Sequence, residues 1–127
     1  MAIESILIVD DEEDIRLVSR LSLGRVGGWQ AFVAASGPEA VEVADREQPD
    51  LILLDVMMPE TDGPATLALL RGQESTASIP VVFLTAKVQK REVERYLELG
   101  ALGVIRKPFD PMTLPEEIRR IVGETAH

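Results

Sequence analysis

Several polar positions in this sequence directly follow short, mostly apolar runs, and their side chains are of types that handle phosphate. They are Asp10–Asp11 after residues 6–9, Asp55 after residues 51–54, Thr85 after residues 81–84 and Lys107 after residues 104–106. Apolar runs of this kind are typical of strands covered on both faces in a parallel sheet. The carboxyl ends of such strands form the edge where α/β proteins build their sites. Three carboxylates, a hydroxyl and an ammonium at one edge predict a metal-assisted phosphoryl site.

The acidic pair and Asp55 together have the composition of a Mg²⁺ site. Mg²⁺ takes oxygen ligands and keeps several waters, so one or two carboxylates are enough. We expect Asp11 and Asp55 to bind directly, with Asp10 reaching the ion directly or through a water. Without a cation these carboxylates would repel one another. In the alternative interpretation, Asp10 and Asp11 only cap the first helix, which suits an isolated pair better than a pair accompanied by Asp55.

Asp55 is the candidate nucleophile, because a carboxylate can attack phosphorus and carry the phosphoryl group as an acyl phosphate. Lys107 would place a positive charge beside the phosphoryl oxygens, and Thr85 would donate a hydrogen bond to one of them. Each residue also has a simpler interpretation. Asp55 could be a turn aspartate, Lys107 a surface lysine and Thr85 a strand threonine bonded to backbone. The predicted function therefore depends on the combination.

Other catalytic chemistries lack their residues. The sequence has no cysteine nucleophile and no serine–histidine pairing, and its only histidine is the terminal His127. It also lacks a phosphate-binding loop ending in Gly-Lys-Ser or Gly-Lys-Thr, and no G-x-G-x-x-G motif follows the first apolar run. The P-loop and dinucleotide-binding classes are therefore disfavoured.

The apolar runs alternate with amphipathic segments of helical length. The predicted strands are Ile6–Val9, Trp29–Ala34, Leu51–Leu54, Val81–Leu84 and Leu102–Ile105. The first predicted helix carries Ile15, Val18 and Leu21. The second begins at Pro38 and ends before Pro49, and the third begins near Pro64. The fourth runs from about Lys87 to Leu99, and the fifth follows Asp110–Pro111 as far as Val122. Five strands alternating with five helices form a βα repeat, which predicts a parallel sheet with right-handed crossovers.

The composition narrows the class of protein. A chain of 127 residues is long enough for one domain with its own core. Its 13 basic and 22 acidic residues give a net charge of −9, which argues against general binding to nucleic acid or to an anionic membrane. The absence of cysteine is compatible with a reducing compartment. The first apolar run is too short for a signal peptide or a membrane span, so we expect a soluble, cytoplasmic protein.

With these residues placed, the chain resembles the receiver domains of two-component response regulators over nearly its whole length. The matching segments are Ile8–Glu12, Asp50–Pro59, Asp62–Gly63, Phe83–Ala86, Gly100–Ala101 and Lys107–Phe109. The resemblance implies a flavodoxin-like (βα)5 fold, a doubly wound parallel five-stranded sheet of order 2-1-3-4-5. It also implies that residues 1–127 form one receiver domain, with no output domain in this chain.

The resemblance implies a role for each residue of the site. Asp55 would accept a phosphoryl group from a histidine kinase or histidine phosphotransfer protein. Thr85 would hydrogen-bond that group and Lys107 would pair with it. The Mg²⁺ ligands would be Asp10, Asp11, Asp55 and the backbone carbonyl of Met57. The domain would catalyse only its own phosphorylation and dephosphorylation, and would signal to a downstream protein as a monomer or a phosphorylation-dependent dimer, without binding nucleic acid or membrane directly.

One departure from the family pattern concerns signal output. The family usually has Tyr or Phe three residues before the lysine, as a switch that turns inward when the threonine moves, and this chain has Val104 there. The usual output face, made of the fourth helix, fifth strand and fifth helix, would then need another switch. The fourth helical segment is basic, through Lys87, Lys90, Arg91 and Arg95. That segment either docks an acidic partner or is a solvated helix face.

Two other functions remain as alternatives. An enzyme that turns over through an aspartyl phosphate would need an acid/base carboxylate near the nucleophile, commonly two residues after it, where this chain has Met57. A receiver-shaped interaction module that is never phosphorylated would not need the complete residue set that this chain carries.

Overall fold

The computed structural model describes residues 2–123, so His127 lies outside the described residues. The strands are β1 (Ser5–Val9), β2 (Gln30–Ala34), β3 (Leu51–Asp55), β4 (Val81–Thr85) and β5 (Gly103–Arg106). The α-helices are α1 (Glu13–Leu21), α2 (Gly37–Glu47), α3 (Gly63–Arg71), α4 (Lys90–Glu98) and α5 (Leu114–Val122), and a π-helical segment, Ser22–Val26, continues α1. Among the described residues, no helix has the length and apolar character needed to span a bilayer.

The five strands form one sheet of order β2-β1-β3-β4-β5, and all neighbouring strands are parallel. One core packs α2, α3 and α4 against one face of the sheet. A second core packs α1 and α5 against the other face. The flavodoxin-like fold and the strand order 2-1-3-4-5 are therefore confirmed. Strands β3 and β4 are buried along their whole length, as their uninterrupted apolar runs predict.

The strands extend to the polar residues at their ends. Asp55 is the last residue of β3 and Thr85 is the last residue of β4. Behind Asp55, the chain turns closely at Gly63, where a Cβ atom would lie 2.8 Å from the carbonyl oxygen of Asp55. The first turn of α3 is capped by Asp62, whose Oδ1 accepts from the amide of Ala65 at 2.9 Å.

The fourth helix begins later than the sequence predicts, at Lys90 and not near Lys87. The hydroxyl of Thr85 accepts a hydrogen bond from the backbone amide of Lys87 at 3.1 Å. This local bond gives the backbone an alternative to a helical turn. Residues 86–89 are therefore a loop between the site and α4.

The first helix exposes apolar residues of its predicted stripe. Ile15 packs against the core, but Val18 is 36% exposed and Leu21 is 47% exposed. The helix continues as a π-helical segment, in which the amide of Gly27 donates to the carbonyl of Ser22 at 3.0 Å. This wider turn changes the residues that face the sheet, so Leu23 enters the core and an apolar strip remains on the surface.

Candidate metal and phosphoryl site

The predicted site residues meet at the carboxyl edge of the sheet. Asp10, Asp55 and Thr85 are 0%, 2% and 1% exposed, whereas Asp11 is exposed. One carboxylate oxygen from each of Asp10, Asp11 and Asp55 lies within 4.8 Å of the other two. The structure therefore brings together three acidic residues that lie as far as 45 positions apart in the chain.

Lys107 lies among these carboxylates, immediately after β5. Its Nζ is 2.8 Å from Oδ2 of Asp10, 3.4 Å from Oδ1 of Asp55 and 3.8 Å from Oε1 of Glu12. Burial alone would lower the pKa of Lys107, but its close contacts and charge interactions with Asp10 and Asp55 raise that pKa above its usual value. The ammonium therefore stays charged and compensates two buried carboxylates. The Lys107–Pro108 peptide bond is cis.

Asp10 is held by its backbone and by one carboxylate oxygen, Oδ1. Its amide donates to the carbonyl of Ala34 at 3.1 Å, and its Oδ1 accepts from the amide of Glu12 at 2.9 Å. Its backbone carbonyl accepts from Nη1 of Arg16 at 2.9 Å. The N-cap of α1 is Glu12. Asp10 and Asp11 thus precede the cap position, so the helix-cap alternative does not describe them.

The donor set fits a hard divalent cation. The three carboxylates supply only oxygen ligands, which Mg²⁺ prefers. Oδ2 of Asp10 is buried and, although the ammonium of Lys107 is close, accepts no well-aligned hydrogen bond among the described residues. It therefore keeps a lone pair for a cation.

Asp55 is an unusually basic carboxylate. Burial, and then the neighbouring charge of Asp10, raise the pKa of Asp55 from 3.8 to about 6, and Lys107 offsets part of that increase. The amide of Met57 also points at Asp55, with its nitrogen 3.4 Å from Oδ1. Raised basicity in a carboxylate that faces a lysine is typical of functional sites.

Thr85 and Met57 frame the site in different ways. The hydroxyl of Thr85 accepts from the amide of Lys87, which leaves its proton free to be donated elsewhere. The side chain of Met57 is 65% exposed at the mouth of the site. A metal-binding role for the backbone carbonyl of Met57 stays a prediction.

The structure adds two features that the sequence interpretation missed. Arg16 reaches back from α1 to the carbonyl of Asp10; its signal in the sequence is a single basic residue just after the acidic stretch 10–14. An apolar depression of about 310 Å³ also lies beside Lys107. It is lined by Glu12, Asp14, Ile15, Val18, Ala86, Lys107, Pro108 and Phe109.

A second cavity of about 430 Å³ lies between the β4–α4 loop and β5. It is lined by Ala86, Lys87, Val88, Gln89, Glu92 and Arg106. Val104 is half-buried and packs against the core that contains Phe83 and Tyr96. Tyr96 is the one buried residue of α4. Helix α4, which follows the loop after Thr85, is therefore held to the sheet mainly through Tyr96.

Comparison with known proteins agrees with this geometry. The family model of the response regulator receiver domain matches residues 6–119. The chemotaxis protein CheY4 of Vibrio cholerae superposes with a TM-score of 0.85 at 31% identity, covering 94% of this chain and 99% of that one. The N-terminal domain of a response regulator receiver protein from Methanoculleus marisnigri superposes with a TM-score of 0.76 at 35% identity, covering 98% and 100%.

Two curated relatives are transcriptional regulatory proteins. The alkaline phosphatase synthesis transcriptional regulatory protein PhoP of Bacillus subtilis is 39% identical over 119 residues, covering 94% of this chain and 48% of that protein. The phosphate regulon transcriptional regulatory protein PhoB of Pseudomonas aeruginosa is 37% identical over 122 residues, covering 96% and 53%. The chain thus spans about half the length of the curated relatives it matches.

Receiver domains are regulatory modules and not classical enzymes, and they work with histidine kinases and downstream effectors. They generally bind Mg²⁺ through an acidic cluster, and this chain has such a cluster in Asp10, Asp11 and Asp55. The matched segment contains every residue of the site described above. The chain therefore belongs to the response regulator receiver domain family of two-component signal transduction.

Proposed function

We propose that Asp55 is the phosphoacceptor of this receiver domain, that Asp10, Asp11, Asp55 and the Met57 carbonyl hold Mg²⁺, and that phosphorylation changes a protein-interaction surface. The observation that carries the proposal is the position of Lys107, whose ammonium contacts both Asp10 and Asp55 inside the acidic cluster. A structural ion pair would need one carboxylate. The acidic cluster contains three carboxylates, Asp10, Asp11 and Asp55, and one ammonium leaves a net negative charge that a bound cation would neutralise.

The reaction is a transfer between two nucleophiles. An ionised oxygen of Asp55 attacks the phosphorus of a phosphohistidine, so that an O–P bond forms, the N–P bond breaks and the imidazole leaves with the bonding electron pair. Bound Mg²⁺ would neutralise charge on the phosphoryl oxygens. Lys107, already within 3.4 Å of the nucleophile, would follow the new negative charge, and Thr85 would donate its proton to a phosphoryl oxygen.

The surface beside the site suits a protein donor. The apolar depression next to Lys107 is continuous with α1, on which Leu17 is 57% exposed and Leu21 is 47% exposed. Exposed apolar area that borders Lys107 of the site favours docking of a protein over a free small phosphate compound. A histidine kinase or a histidine phosphotransfer protein is the donor that this proposal names. The cysteine-free sequence fits the cytoplasmic location that such a donor implies.

The output region is the loop after Thr85 together with α4. The hydroxyl of Thr85 holds the amide of Lys87, so turning this hydroxyl toward a phosphoryl group would release the loop. Helix α4 buries only Tyr96, and Glu92 has a buried carboxylate oxygen without a hydrogen bond in the described chain. Both features lower the cost of moving this helix. A downstream protein would read the change on α4, β5 and α5.

The test is phosphorylation by acetyl phosphate with Mg²⁺, followed by intact mass spectrometry. Wild type should gain one phosphoryl group, and Asp55→Asn should gain none. Asp14→Asn is the matched control, because it removes an exposed carboxylate near the site and should label as wild type does. Equal labelling of Asp55→Asn and wild type would refute the assignment. Wild type that stays unlabelled with donor and Mg²⁺ would favour a receiver-shaped module that is never phosphorylated.

A further inference from the structure

We propose that Arg16 is a positioning residue for the metal site, which directs the carboxylate of Asp11 by holding the backbone carbonyl of Asp10. The inference rests on the proposed function, because it concerns the same Mg²⁺ site. Nη1 of Arg16 lies 2.9 Å from the carbonyl oxygen of Asp10, and the Arg16 side chain is half-buried.

The bond joins the first turn of α1 to the loop that precedes it. Arg16 is held in that turn, where its amide donates to the carbonyl of Glu12 at 3.1 Å. The guanidinium is a rigid planar donor, so a half-buried arginine constrains its acceptor closely. The chain between the end of β1 and the start of α1 is thereby closed over residues 10–12.

The planarity of the peptide group carries this constraint to Asp11. The carbonyl of Asp10 and the amide of Asp11 belong to one rigid plane. Because Arg16 fixes the carbonyl oxygen of this plane, it also fixes the direction of the bond from the amide nitrogen to the Cα atom of Asp11. Asp11 needs this support, because it is exposed and its carboxylate has no hydrogen-bond or ion-pair partner within residues 2–123. Asp10, by contrast, is held by Ala34, Glu12 and Lys107.

The charge of Arg16 and its hydrogen bond predict opposite effects on Mg²⁺ binding. If Arg16 acted only through its charge, removing it would lower the repulsion of a bound cation and tighten binding. If Arg16 positions Asp11, removing it frees a ligand and weakens binding. Loss of a group that orients a metal ligand typically costs about tenfold or more in affinity.

Arg20 provides the matched control. It lies one turn further along α1, carries the same charge and is exposed, and no contact from it to the site is seen in the described chain. Arg16→Met and Arg20→Met therefore remove the same group from the same helix. Arg16→Gln is the second variant, in case the methionine variant does not fold.

The experiment is calorimetric titration of the folded full chain with Mg²⁺ alone at fixed pH and ionic strength. Arg16→Met, and likewise Arg16→Gln, should bind Mg²⁺ about tenfold more weakly than wild type, and Arg20→Met should bind at least as tightly as wild type. Unchanged or tighter binding by the Arg16 variants would overturn the inference, as would an equal loss in Arg20→Met. If wild type shows no Mg²⁺ binding at all, the proposed metal site fails, and this inference fails with it. If wild type binds and Asp11→Asn weakens binding while the Arg16 variants do not, only the role of Arg16 is wrong.

Discussion

Lys107 Nζ lies 3.4 Å from Oδ1 of Asp55, although the two residues lie at the carboxyl ends of strands that are not neighbours. Asp55 ends β3 and Lys107 follows β5, with β4 between them. The lysine side chain thus crosses the end of β4, where Thr85 is buried. A phosphoryl group on Asp55 would lie within reach of both.

Replacing Lys107 separates its effect on Mg²⁺ binding from its effect on the phosphorylated state. In Lys107→Met, a positive charge that competes with Mg²⁺ for Asp10 and Asp55 is gone, so Mg²⁺ should bind as tightly as in wild type or more tightly. The phosphorylated state should lose its stabilising partner and its conformational response. Mg²⁺ titration and spectra with beryllofluoride would measure both effects, with Arg20→Met as the exposed control. Clearly weaker Mg²⁺ binding in Lys107→Met would contradict this account of the ammonium.

The basicity of Asp55 predicts a pH-dependent stability in the metal-free protein. A carboxyl group whose pKa is raised by folding, here from 3.8 to about 6, stabilises the fold fully below the unfolded pKa. That contribution is lost as the pH rises through the folded pKa. The free energy of unfolding of wild type relative to Asp55→Asn should therefore fall by roughly 2 kcal/mol between pH 4 and pH 7, because a pKa difference of one between the folded and unfolded states corresponds to about 1.4 kcal/mol and pH 4 already lies just above the unfolded pKa.

Chemical denaturation of both proteins without metal, across this pH range, would measure the difference. Asp14→Asn, which removes an exposed carboxylate, controls for the general effect of net charge. Wild-type and Asp55→Asn curves that stay parallel from pH 4 to pH 7 would show that burial of Asp55 does not set its titration.

The sequence predicted which residues meet at the carboxyl edge of the sheet better than it predicted the surfaces around them. Asp55 and Thr85 were found because uninterrupted apolar runs mark buried parallel strands, and such strands open at one edge. The exposed Leu21 was not found, because a π-helical turn changes the face that α1 presents to the sheet and leaves no periodic signal. The role of Arg16 was also missed, since it depends on a side chain that folds back against the chain direction.

The phosphorylated state should be long-lived for a receiver domain. Hydrolysis needs a water held in line with the acyl phosphate, and the exposed thioether of Met57 is a poor hydrogen-bonding group for orienting it. Lys87, in the loop after Thr85, would further shield the phosphoryl group. Met57→Asn should hydrolyse about tenfold faster, which is below the range of a positioned general base. Release of phosphate after removal of the donor would give the rates, and a variant no faster than wild type would refute the explanation.

Signal output should run through the loop after Thr85 and α4, and not through residue 104. Valine is stiff at χ1 and too short to move between a solvent-facing and a buried position. Phosphorylation adds negative charge next to the loop that carries Lys87, which gives this loop a reason to reorganise. Amide chemical shifts with and without beryllofluoride should differ most at residues 85–95. Large changes confined to Val104 and its strand neighbours would contradict the proposal.

The central claim is that Asp55 carries the phosphoryl group, and chemical mapping of the acyl phosphate tests it most directly. Borohydride reduces an aspartyl phosphate to homoserine, so peptide mass spectrometry after reduction identifies the modified residue. We expect homoserine at position 55 after treatment with acetyl phosphate and Mg²⁺, and none when Mg²⁺ is removed by a chelator. Reduction at Asp10 or Asp11, or an equal yield at position 55 without Mg²⁺, would contradict it.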